Sequence, residues 1–129
     1  MRKESKIPEY EYCLVIARHF NERQQIPTTL VTIETTKLFA SFRYELSVQA
    51  TVTGKQLHYA IRGLKAPQLS LPSSGSAQFI REYDNLKGKY DIIVESLDGT
   101  ANSFTVNIAK KTITLLKSPK TPFIDLVVS

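Results

Sequence analysis

Three side chains are soft enough to ligate a transition metal or to serve as nucleophile and base: Cys13, His19 and His58. The histidines have no i, i+4 partner and no zinc-type spacing. Cys13 lies in an apolar run, where a free thiol behaves as a small hydrophobe rather than an activated thiolate. No metal site and no cysteine nucleophile is expected. Two acid pairs follow, Glu82 with Asp84 and Asp91 with Glu95. On strands each pair shares a face, as acid–base work requires. Arg81, Lys87 and Lys89 beside them fit a solvated surface equally well, and no acid has a reason in sequence for a shifted pKa. Gly54-Lys55 belongs to a hairpin and does not precede a helix, so it is no phosphate loop. No catalytic residue and no cofactor is expected.

The basic residues carry more. No acid occurs between Leu46 and Ile80. Lys55, His58, Arg62 and Lys65 come from one hairpin tip and its outer face, a candidate strip for a polyanion. The nearby Tyr44 and Tyr59 have inward parity, so they read as core and not as platforms for stacked bases. A solvated outer face is the competing reading.

A chain of 129 residues is sized for one domain. Its apolar fraction of 42% supports a real core. The formal charge of +5 favours anionic partners without identifying nucleic acid. A single cysteine excludes an internal disulfide and suits a reducing compartment. The charged start, Met1 to Pro8, is followed by no long apolar stretch, and Leu14 to Ala17 is too short and is flanked by Glu11 and Arg18. Neither a secretory signal nor a membrane span is expected, and the cytoplasm is the default.

The elements that must position these residues are clearest from Leu86 to Leu116. Tyr90, Ile92 and Val94 alternate, and so do Phe104, Val106 and Ile108, as strands with one buried face do. A two-residue Asp98-Gly99 turn would set Val94 opposite Ser103. A three-residue loop, Leu97-Asp98-Gly99, sets Ile92 opposite Phe104 and Tyr90 opposite Val106, with Gly99 left-handed. The second register keeps apolar faces together. A turn at Lys110-Lys111 then faces Ile113 to Ile108 and Leu115 to Val106.

Leu86, Gly88 and Tyr90 resemble the corner before strand F of immunoglobulin-like and fibronectin type III domains. The resemblance spans about residues 76–108 and implies an antiparallel β-sandwich. The chain has no tryptophan and only Cys13, so the family's core tryptophan and inter-sheet disulfide are missing. No function is carried over.

In chain order, residues 1–7 read as a tail. Residues 8–26 support two readings. Tyr10, Tyr12, Leu14 and Ile16 alternate as a strand; Tyr12, Cys13, Ile16, Ala17 and Phe20 line one helix face, with Pro8 at its start and Pro27 at its end. Val31 and Ile33 begin a strand, a turn at Thr36-Lys37 sets Ile33 opposite Ala40 and Val31 opposite Phe42, and Leu38 to Val52 continue on one parity. Gly54-Lys55 makes a type II′ turn with Val52 opposite Leu57. Leu57, Tyr59 and Ile61 are core, with Gln56, His58, Ala60 and Arg62 outside. Residues 63–75 are irregular, pinned by Leu69 and Leu71. Residues 76–87 again read both ways: a helix using Phe79, Ile80, Tyr83 and Leu86, or a strand using Phe79, Arg81 and Tyr83. Phe123 to Val128 is a last strand, set apart by Pro119 and Pro122, that adds to its own sheet or to another chain.

The expected fold is a single β-rich domain over residues 8–129: an Ig-like antiparallel sandwich of two three-stranded meanders. An α+β fold with an N-terminal helix on the sheet is the alternative, and a small closed barrel comes third. The expected function is a non-enzymatic binding or interaction module with a protein partner, and the alternative is a nucleic-acid or other polyanion binder using Lys55, His58, Arg62 and Lys65. A monomer is expected, with a homodimer through the C-terminal segment as the other outcome.

Overall fold

The computed structural model describes residues 12–39, 45–65, 75–120 and 122–128. They form β1 (Tyr12–Asn21), β2 (Ile26–Phe39), β3 (Glu45–Thr53), β4 (Gln56–Lys65), β5 (Gly75–Tyr83), β6 (Gly88–Glu95), β7 (Ala101–Ile108), β8 (Ile113–Lys117) and β9 (Ile124–Val128). All nine belong to one sheet, ordered β8-β7-β6-β4-β3-β5-β2-β1-β9. Its end strands approach each other, so the sheet is nearly closed, like a barrel. Among the described residues there is no helix, and so none long and apolar enough to cross a membrane.

The meander of β6, β7 and β8 forms in the register that apolar parity demands. Ile92 pairs with Phe104, Tyr90 with Val106, Ile108 with Ile113 and Val106 with Leu115. The Ser96 amide donates to the Thr100 carbonyl at 2.8 Å, and Gly99 takes φ +89°. Asp98 braces this loop by accepting from the Thr100 amide at 2.9 Å and from the Ser96 hydroxyl. Those bonds hold its carboxyl down at about 2, the Ser96 bond being the largest cause. Across the β3–β4 turn Val52 pairs with Leu57, as expected, and Gly54 has φ +58°.

Several expectations are corrected. Over their described residues the two-faced segments hold strands, Tyr12–Asn21 and Gly75–Tyr83, and no helix, which removes the α+β alternative. In β1 the buried residues are Leu14 and Ile16, and they face Ile33 and Val31 of β2. In β5 the helical reading needs Phe79 and Ile80 on one face, but Ala77 is buried and Phe79 packs on the core while Ile80 is exposed. Tertiary pairing overrides local spacing here. No turn occurs at Thr36-Lys37: β2 runs through it, and the ladder to β5 is irregular between Glu34 and Leu38. Ile33 pairs with Leu14 and Phe79 instead. Val52 is 51% exposed because the β3–β4 tip runs past the core, whereas Ala60 is 2% exposed. The sheet is not purely antiparallel, since β1–β9, β4–β6 and the single Glu45–Gln78 bridge are parallel. Two separate meanders are replaced by one sheet. The tail 1–7, Pro8, Tyr10, Ala40, Phe42, Tyr44, Leu69 and Leu71 lie outside the described residues.

Among the described residues the ladder is thinnest between β3 and β5, which share one bridge there. Across that break the fully buried Tyr59 of β4 meets β5 from inside. Its ring lies edge-on to Phe79 at 6.0 Å, and its hydroxyl bonds the Tyr83 hydroxyl at 2.9 Å. Burial and the Tyr83 bond push the Tyr59 pKa far up, so it is a neutral phenol at any ordinary pH. Tyr59→Phe is expected to cost about 1 kcal/mol by leaving the Tyr83 hydroxyl without its partner. Tyr59→Ala is expected to cost about 3–5 kcal/mol through the cavity it leaves. Denaturant unfolding of both variants checks the ordering.

Candidate functional site

The four residues of the expected basic strip lie along β4 and the turn before it, and each has a local partner. Lys55, in the turn, donates from Nζ to the Lys87 carbonyl at 2.6 Å and sits 4.7 Å from the centre of the Tyr90 ring. His58 Nε2 is 3.9 Å from Glu95 Oε1, an ion pair when the imidazole is protonated. Arg62 donates to the Gln49 amide oxygen at 2.9 Å, and Lys65 pairs with Glu45 at 3.4 Å. Parallel pairing with β6 sets Asp91 beside Gln56 and Glu95 beside Ala60, so acids interleave the strip. The acid-free run in sequence is therefore not an acid-free surface.

The candidate acids divide in the same way. Glu82 and Asp84 line a polar cleft of about 260 Å³ with Asn21, Gln24, Thr28, Tyr83 and Asn85. Glu82 accepts from the Thr28 hydroxyl at 2.6 Å and from the Asn21 amide at 3.1 Å. These bonds, Thr28's first, hold its carboxyl below the usual range, the opposite of what a proton donor near neutrality needs. Asp91 accepts from the Thr105 hydroxyl at 2.8 Å. Cys13 is half-buried, and burial, then Asp125 and Glu34, raise its thiol pKa, which suppresses the thiolate. On β1, Cys13 pairs with Glu34 and His19 with Thr28, while His58 is on β4, so the three soft ligands stay apart. Among the described residues no three of His, Cys, Asp and Glu group as a metal site.

The feature that sequence reasoning missed is the β8 edge. β8 pairs with β7 on one side, and its other side has no strand partner among the described residues. It approaches β1 and β9 without pairing to either. Two side-chain ties cross the seam beyond the ends of the strand. Arg18 donates from Nε and Nη2 to the Lys110 carbonyl, both at 3.3 Å, and from Nη1 to the Thr29 hydroxyl at 2.6 Å. At the other end Asn102, 5% exposed, accepts from the Phe123 amide at 2.8 Å. Between the ties Leu115 is 37% and Leu116 46% exposed. Lys110, Lys111, Lys117 and Lys120 surround them, and their side chains have no ion pair or hydrogen bond among the described residues. Gly99 to Ile124 contains no acid, a second acid-free run that a sequence reader can find.

The ties of Lys55 make it a structural residue. Lys55→Ala is expected to lower stability by about 1 kcal/mol, through the lost carbonyl bond and ring contact, in a thermal or denaturant melt. Comparison with known proteins finds no matching family model, no matching curated protein and no matching solved structure.

Proposed function

We propose that this chain is a non-enzymatic binding module that takes a partner segment along the open edge of β8. One observation carries the reading: Ile113–Lys117 offers an edge with no strand partner among the described residues, with exposed Leu115 and Leu116 between two side-chain ties. An unpaired edge supplies backbone donors and acceptors for a further strand, and apolar side chains beside it add contact area. The module is proposed to act as a monomer, because β9 pairs with its own β1, in a reducing compartment such as the cytoplasm, which suits its free thiol. A resemblance to immunoglobulin-like domains over about residues 76–108 is proposed for the fold alone, on the Leu86-Gly88-Tyr90 corner, and lends no function.

The test is selection of peptides from a random displayed library on the immobilised chain, followed by amide exchange with a selected synthetic peptide. Slowed exchange at Ile113 to Lys117 is expected. Protection confined to the Glu82 cleft or to β4 would reject the edge.

A polyanion reading comes second, favoured by the exposure of Arg62 and Lys65 on the outside of β4. On this reading Arg62→Glu with Lys65→Glu weakens low-salt binding of a labelled single-stranded oligonucleotide at least tenfold and flattens its salt dependence. An unchanged titration would remove it.

A further inference from the structure

We infer that the partner of the β8 edge is an acidic, extended segment of another protein, one that alternates carboxylate and apolar side chains. This deepens the reading above and rests on it. The backbone gives the geometry. The Ala109 amide donates to the Thr112 carbonyl at 2.8 Å. Antiparallel ladders alternate bonded and non-bonded pairs, so Ile113 and Leu115, opposite Ile108 and Val106, have their N–H and C=O directed away from β7. A strand laid there gains those bonds without breaking the ladder to β7, by parting β8 from β1 and β9 where they approach it.

The side chains give the chemistry. The edge is flanked by Lys110 and Lys111 before it and by Lys117 and Lys120 at and beyond its end. None of these four ammonium groups is paired among the described residues, unlike Lys55 and Lys65. A carboxylate-bearing strand brings opposite charge to groups that are already solvated and free, and steers encounter electrostatically. Its apolar positions meet Leu115 and Leu116. A basic strand meets like charge at both ends of the edge and is disfavoured.

The experiment uses the full chain and fluorescein-labelled probes: a decapeptide alternating glutamate and valine, its lysine–valine counterpart, and a decathymidylate. The glutamate–valine peptide is expected to bind at least tenfold more tightly than the lysine–valine peptide, and to weaken as salt rises. Leu115→Pro removes an outward N–H and leaves the ladder to β7 intact. It is expected to weaken binding at least tenfold, with the thermal midpoint recorded as the check on folding. Lys117→Glu with Lys120→Glu is expected to abolish the preference between the two peptides, and it serves as the deciding variant where Leu115→Pro does not fold. Equal binding of the two peptides with Leu115→Pro impaired would overturn the acidic partner and leave the edge reading standing. Binding of neither peptide, or full binding to a folded Leu115→Pro, would overturn both. Tighter binding of the decathymidylate, or a dimer in light scattering that Leu115→Pro dissociates, would replace the acidic segment with a nucleic acid or a second copy of the chain.

Discussion

The fold depends on Tyr59. A sheet of nine strands that curls on itself needs continuous pairing, and among the described residues pairing between β3 and β5 is down to one bridge. Tyr59 spans that break with a ring fully removed from water, packed edge-on to Phe79, and a hydroxyl that finds the Tyr83 hydroxyl. A buried aromatic contributes more area than any aliphatic neighbour, and its polar tip must be satisfied to keep that gain. Both conditions are met by one strand, β5, whose alternate residues Phe79 and Tyr83 face inward. Replacing a run of backbone bonds with one side chain makes this the junction where the two halves of the sheet are joined.

The opposite seam is closed by a different device. Among the described residues no backbone pairing joins β8 to β9. Arg18 and Asn102 tie the ends instead, each through a side chain bonded to a backbone group of the other half. Such ties fix where the strands end without covering what lies between them. The seam therefore keeps a short open edge, while the strip along β4 is consumed by Glu45, Gln49, Glu95 and the Lys87 carbonyl. Free charge and free backbone coincide at β8.

Legibility in the sequence follows the range of the interactions. Registers across short turns were readable, because Gly54 and Gly99 fix loop length and a one-residue slip would invert a face; Ile92 with Phe104 and Val52 with Leu57 are cases in point. Burial was less readable: Val52 has core parity but stands beyond the core, and Ala60 has surface parity but is small and covered. Segments whose pairing no glycine turn marks were unreadable: β1 joins β2 through residues 22–25 with Gln25, not a glycine, at φ +59°, and β5 pairs with β2 from far along the chain. β1 and β5 draw their strand conformation from β2, which pairs with both, and the helical spacing of Tyr12, Cys13, Ile16, Ala17 and Phe20 has no structural consequence. The acids beside the candidate strip were not readable, because β6, distant in sequence, brings Asp91 and Glu95 to β4 in parallel. The lysines of the β8 edge were visible as residues, but their freedom depends on the absence of a neighbouring strand, which no local pattern encodes.

Lysines at a strand edge have an ordinary protective role, since charge discourages strands from pairing with copies of themselves. That role and recognition of an acidic strand are the same physics seen from two partners. A two-fold pairing of two β8 edges centred on Leu115 sets Ile113 of one copy against Lys117 of the other, and brings the lysines of the turn of one copy towards those past the strand of the other at each end. The like charges meet at the ends of a contact only five residues long, where few backbone bonds are available to offset them. An acidic strand on the same edge keeps every backbone bond and exchanges repulsion for attraction at both ends. Specificity is a difference between two affinities, and a repulsive element against the wrong partner enlarges it as effectively as a contact with the right one. The placement of the lysines in the turn and past the strand, with Leu115 and Leu116 between them, leaves the middle of the edge apolar and its ends selective.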